Sequence, residues 1–142
     1  MSMTFQEKSQ WVTLLGLLVA FGGYFQSAWQ TLLPTPIAPD ILPDQASLFL
    51  AATCLLVVIL VAGHIAIVIL DSRTDADERD RLIELKGERY GSFVLAFGVF
   101  VSLCTAVYTE GNAIMAHVLL GSWVLAGVVE SLTQILMYRR SS

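Results

Sequence analysis

The sequence predicts an all-α, polytopic membrane protein: four transmembrane helices in an antiparallel bundle, with a short cytoplasmic helix between the second and third. Three observations carry that prediction. The 142 residues are 56% hydrophobic with a mean hydropathy of +0.70, more apolar than a water-soluble core of this size can hide. The stretches 11–33, 47–70, 91–108 and 113–137 each approach the about 20 residues needed to cross roughly 30 Å of hydrocarbon at 1.5 Å per residue. All eight Lys and Arg residues fall on one side of those stretches: Lys8 before the first, Arg73, Arg79, Arg81, Lys86 and Arg89 between the second and third, and Arg139 and Arg140 after the fourth. By the positive-inside rule both termini and the Arg-containing loop are cytoplasmic, and the chain is a multi-pass protein of the cell inner membrane.

The elements follow in order. Thr4 and Glu7 have capping-box spacing, so the first helix is expected to begin there. Gln26-Ser27-Ala28 offers no small-x-small cleavage site, so the first span is expected to be retained. All four prolines, Pro34, Pro36, Pro39 and Pro43, lie in the longer outer connection, which should stop the first helix after Leu33 and stay extended until Ser47 restarts a helix. Thr74 or Asp75 is placed to cap a helix over 75–89, with Asp75–Arg79 and Asp77–Arg81 at ion-pair spacing and Leu82 and Leu85 as an apolar edge. That helix is expected to lie on the membrane surface or to lead straight into span three, with Gly87 and Gly91 as bend points. The outer turn Thr109–Asn112 is so short that spans three and four must be antiparallel neighbours. Ala20-Phe21-Gly22 recurs as Ala96-Phe97-Gly98, an internal echo that a duplicated hairpin would produce.

Small residues mark packing faces, because lipid supplies no hydrophobic drive between helices and close backbone approach must hold them. Gly16, Ala20, Gly23 and Ser27 form one stripe on span one, and Gly98, Ser102 and Ala106 another on span three. These faces suit bundle packing and offer a route to a homo-oligomer.

Glu130 and His64 form the one pair that asks for a chemical account. A carboxylate in hydrocarbon is costly, so Glu130 should face protein, and both residues lie roughly 13 Å inward from the nearest cytoplasmic Arg if the helices run straight. Either they share a hydrogen bond that fixes helix register, or they form a protonatable intramembrane site lined by Gln134 and Thr133. His117 lies too far along span four to share a haem iron with His64, and it is expected to be a polar residue near the outer interface. Cys54 and Cys104 stand alone within spans. No phosphate loop, nucleophile elbow, His-Glu-x-x-His motif or paired metal-ligand spacing occurs, so no cofactor, metal site or catalytic residue is expected and enzyme activity ranks last. The acidic balance of −4 makes nucleic acid an unsuitable partner and leaves membrane lipids and proteins.

The segment Asp77-Glu78-Arg79-Asp80-Arg81-Leu82-Ile83-Glu84-Leu85-Lys86, placed between spans two and three, resembles a family of small prokaryotic four-span membrane proteins of unknown function. The likeness covers that loop and the four-span plan. It implies the fold, no established activity and no site residue. Arg79, Arg81 and Lys86 are the candidate surface for a cytoplasmic protein partner, and a structural or regulatory role ranks ahead of a small oligomeric transporter or channel.

Overall fold

The computed structural model describes residues 4–32, 40, 41, 43–70 and 77–140. Among them the chain forms four helices and no strands: α1 Phe5–Leu32, α2 Pro43–Leu70, α3 Glu78–Tyr108 and α4 Ala113–Arg140. Each is long and apolar enough to cross a membrane, so this is a multi-pass membrane protein of the predicted class.

Local chemistry sets the helix ends. Thr4 Oγ1 accepts from the Glu7 N–H at 3.2 Å, as the capping-box spacing predicts, whereas the Glu7 carboxylate pairs with Arg139 at 3.5 Å. α2 starts at Pro43 rather than Ser47, because proline in a first turn loses no helical hydrogen bond, and Asp44 beside it suits the positive end of the helix dipole. Ser47 instead donates from Oγ to the Asp44 carbonyl at 2.8 Å.

The helix expected over 75–89 leads straight into span three: from Glu78 it is the beginning of α3, which runs unbroken for 31 residues. Its cap is Asp77, whose carboxylate accepts from the Glu78 N–H at 2.7 Å while the Asp80 carboxylate accepts from the Asp77 N–H at 3.1 Å. Asp77, expected to pair with Arg81, is thus the helix cap. Thr74, Asp75 and the Asp75–Arg79 pair fall outside the described residues, as do Pro34, Pro36 and Pro39. Between α3 and α4, Gly111 takes a φ of 77°, a left-handed conformation that glycine adopts without strain.

The helices pack in the order α2, α1, α4, α3, with α1 against both α2 and α4, and α3 against α4. The α3–α4 seam is the most extensive. Gly87, Gly91, Gly98 and Ser102 are buried along it. A Cβ on Gly87 would overlap the Gln134 side chain, one on Gly91 would lie 3.1 Å from the Ala126 carbonyl oxygen and 3.2 Å from Glu130 Cβ, and one on Gly98 would collide with Ser122. Ser102 Oγ closes the outer end by donating to the Met115 carbonyl at 2.9 Å. Gly87 and Gly91 are therefore contact points and not bends, and Ala106, expected on this face, is exposed.

The α1 stripe divides in the same way. Gly16 and Ala20 pack inward, but Gly23 has no neighbouring side chain and Ser27 is exposed. Leu17, Ala20, Phe21, Tyr24 and Ala28 of α1 make the core with Ala52 and Leu56 of α2, and Trp123 of α4 meets Phe21 edge-on at 5.6 Å. The Ala-Phe-Gly triplets occupy opposite environments, since Phe21 is 1% exposed and Phe97 71%.

Glu7–Arg139 and a hydrogen bond from the Tyr138 hydroxyl to Asp80 bring the start of α1, the end of α4 and the start of α3 to one end of the molecule. At the other end the Ile41 N–H donates to Asn112 Oδ1 at 3.2 Å, which holds the two outer connections level. From that level the apolar run of α2 is about 36 Å long (46–70) and that of α3 only about 27 Å (90–108). Such unequal lengths are accommodated by tilting the row of helices in the bilayer or by local thinning beside α3.

Gly98→Ala should destabilise the folded protein in detergent by about 1–3 kcal/mol through overpacking against Ser122. Ser122→Gly should restore most of the loss, and Gly22→Ala, which meets nothing within 4 Å, should be neutral or slightly stabilising. Denaturant midpoints read all three.

Candidate functional site

The residues singled out in the sequence fall into three places. Glu130, Gln134 and Thr133 belong to the α3–α4 seam near the end that carries the termini. Glu130 packs against Gly91, Gln134 is buried against Gly87 with Nε2 3.5 Å from Glu130 Oε1, and Thr133 is half-buried one residue away. Glu84 and Glu88 of α3 are near enough to repel the Glu130 carboxylate. Gly91 is two residues beyond Arg89, so the seam brings Glu130 to the level where the charged turns of α3 meet its apolar run. On α3 that level is two residues from Arg89, nearer the charged turns than straight-helix counting from Arg139 placed it.

His64 is elsewhere. Its Nδ1 lies 2.7 Å from the Leu60 carbonyl oxygen and must donate to it, leaving Nε2 to accept from Ser9 Oγ at 2.8 Å. Both ring nitrogens are thus committed to α1 and to its own helix, while Glu130 faces α3 on the far side of α4. The structure does not bring His64 and Glu130 together.

His117 repeats the arrangement at the opposite end, which the sequence reading missed. Nδ1 donates to the Ala113 carbonyl at 2.7 Å, and Nε2 accepts from the Tyr24 hydroxyl at 2.9 Å with the two rings stacked at 5.8 Å. His117 is buried, about one turn into α4 from the connection that precedes it. The available signal was depth: Ser9 and Tyr24 on span one stand level with His64 and His117 on its two neighbours. The neutral imidazole completes both sites with no donor or acceptor unpaired.

The third place is the exposed face of the charged first turns of α3. Ile83, Gly87 and Gly91 hold one face of these turns against α4, which leaves Arg79, Arg81, Leu82, Leu85, Lys86 and Arg89 exposed. Leu82 is 58% and Leu85 52% exposed, and Arg89 lies over the Phe93 ring at 5.9 Å.

Beside the Tyr24–His117 pair is a cavity of about 630 Å³, between α2 and α3 with α4 as its floor. Its walls include Phe49 of α2, Leu95 and Val99 of α3, and Leu120 and Trp123 of α4. Among the described residues no three His, Cys, Asp or Glu side chains converge to hold a metal.

No protein-family model matches this chain, and no curated protein or solved structure matches it either. None of these comparisons supports the family likeness drawn from residues 77–86 and the four-span plan.

Tyr24→Phe leaves the buried His117 Nε2 without its donor and should cost about 1–2 kcal/mol; Ser9→Ala, at the half-buried His64, should cost about half as much. Both losses are measurable as denaturant midpoints in detergent. Nitrogen-15 shifts of the labelled imidazoles should place the proton of both histidines on Nδ1.

Proposed function

We propose that the protein is a structural or regulatory component of the cell inner membrane whose termini and charged α3 turns lie in the cytoplasm, where the exposed face of those turns docks a protein partner. The observation that carries this reading is the continuity of α3: one capped helix holds Leu82, Leu85, Arg81 and Lys86 on a free face while its opposite face is fixed to α4. A pre-ordered amphipathic surface loses little conformational entropy on binding. The one-sided cations support the orientation, and all three segments that bear them share one end of the fold.

A second reading, a small oligomeric transporter or channel, draws on Glu130 with Gln134 and Thr133 at the α3–α4 seam and on His64 as a further protonatable group. What favours docking over it is that both nitrogens of His64 have partners other than Glu130.

Photo-crosslinking residues at positions 82 and 85 should capture one discrete protein in membranes, and the adduct should disappear in Arg79→Glu/Arg81→Glu/Lys86→Glu without loss of the folded membrane protein. The same probe at Phe100, on the lipid-facing part of α3, should give no such adduct. Absence of any protein adduct at 82 and 85 would contradict docking. Glu130→Gln should fold normally, and loss of a pH-dependent flux in vesicles on that substitution would support the transport reading instead.

A further inference from the structure

We propose that the cavity between α2 and α3 is a lipid site: it takes the acyl chain of a phospholipid from the leaflet opposite the termini, and it favours a zwitterionic headgroup bearing a cationic amine. The location, the lining, the size and the rim each contribute to the assignment.

The cavity exists because α2 and α3 occupy the two ends of the helix row, so a space flanked by both opens sideways into the bilayer. It runs inward from Ile41 and Gln45 at the outer connection to Trp123, about 15 Å along α4 from Ala113, the direction in which a lipid chain lies. At about 30 Å³ per molecule, 630 Å³ would take roughly twenty waters, each needing two to four polar partners. Among the described residues the lining does not supply them. Tyr24 and His117 already satisfy each other, Gln45 also has a partner, and the remaining described walls are hydrocarbon and aromatic. Water is therefore excluded, and a flexible apolar chain is the occupant that the surroundings provide.

An acyl chain can follow the groove past Phe49 and Val99 to Trp123.

The rim selects the headgroup. Asp40 and Asp44 flank the lining residues Ile41 and Gln45, Glu110 lies in the neighbouring turn, and neither outer connection contains a Lys or Arg. An anionic headgroup meets these carboxylates with no Lys or Arg to offset them beyond the N-terminal dipole ends of α2 and α4, whereas an amine can sit against Asp40 or Asp44 while its phosphate stays in water.

The test uses the full chain with Trp11→Phe and Trp29→Phe, so that Trp123 is the sole tryptophan. It is reconstituted into phosphatidylglycerol vesicles containing phosphatidylcholine brominated on the acyl chain, and into the reverse mixture. Bromine quenches Trp123 on contact, so the dependence on mole fraction gives a relative association constant. The proposal predicts at least a threefold preference for phosphatidylcholine. Ala116→Phe, which fills the cavity from α4, should abolish the strong quenching, and Asp40→Lys/Asp44→Lys at the exposed rim should reverse the preference while quenching persists. Equal constants for both lipids, unchanged by the rim variant, would overturn the headgroup assignment and the site with it. Trp123 shielded from both brominated lipids, together with a crosslinked dimer, would overturn it in favour of a second copy. The rim variant decides the matter even if Ala116→Phe does not fold.

Discussion

The backbone contact between α3 and α4 governs the depth of most other features. In a bilayer, apolar side chains gain nothing by leaving lipid for protein, so two helices hold together where small residues let their backbones meet. Gly87 against Gln134, Gly91 against Ala126 and Glu130, and Gly98 against Ser122 fix a single register, because a shift along the axis would drive side chains into one another. That register sets Glu130 beside the last charged turn of α3. It also holds Ile83, Gly87 and Gly91 inward, which turns Leu82 and Leu85 outward.

α1 organises the other half. It is the helix that touches both α2 and α4, and its polar ties are spaced along its length: Ser9 to His64, Tyr24 to His117, Glu7 to Arg139. Each histidine donates to a carbonyl one turn back in its own helix and accepts from an α1 hydroxyl, so each acts as a directional pin between helices. Because α1 and α4 hold the middle of the row, α2 and α3 lie at its ends, and the lateral cavity between them is a consequence of that order. Phe49 and Trp123, which also pack on the aromatic core around Phe21, give its walls a fixed shape.

The fold class was legible because it follows from two simple signals, apolar length and the one-sided placement of Lys and Arg. The α3–α4 hairpin was legible from the four-residue turn. The stripe on α3 was read in part: Gly98 and Ser102 were recognised as packing residues, but Gly87 and Gly91 stand next to charges and so resembled loop punctuation. Their role appears only once α4 is beside them. Pro43 misled in a similar way, since proline ends a helix in its interior but is at home in a first turn. The His64–Glu130 pairing came from counting residues along isolated straight helices, and such counting carries neither the order of helices nor their unequal apolar lengths. With α1 seated between α2 and α4, the matching partner for His64 is Ser9. No local signal marked the cavity, which depends on the order in which the helices pack.

The most direct test of this account is the depth profile of α3. Nitroxide labels at Leu82, Leu85, Arg89, Phe93, Phe97, Phe100 and Leu103, all on its exposed surface, can be compared by oxygen and nickel-chelate accessibility in a reconstituted bilayer. The account predicts nickel-accessible positions through Arg89, a crossover between Arg89 and Phe93, and oxygen-rich lipid contact from Phe93 onward, with a label at Glu130 reporting the crossover depth. A profile with Leu82 and Leu85 in oxygen-rich lipid, or with a Glu130 label near the bilayer centre, would contradict the register on which the structure rests.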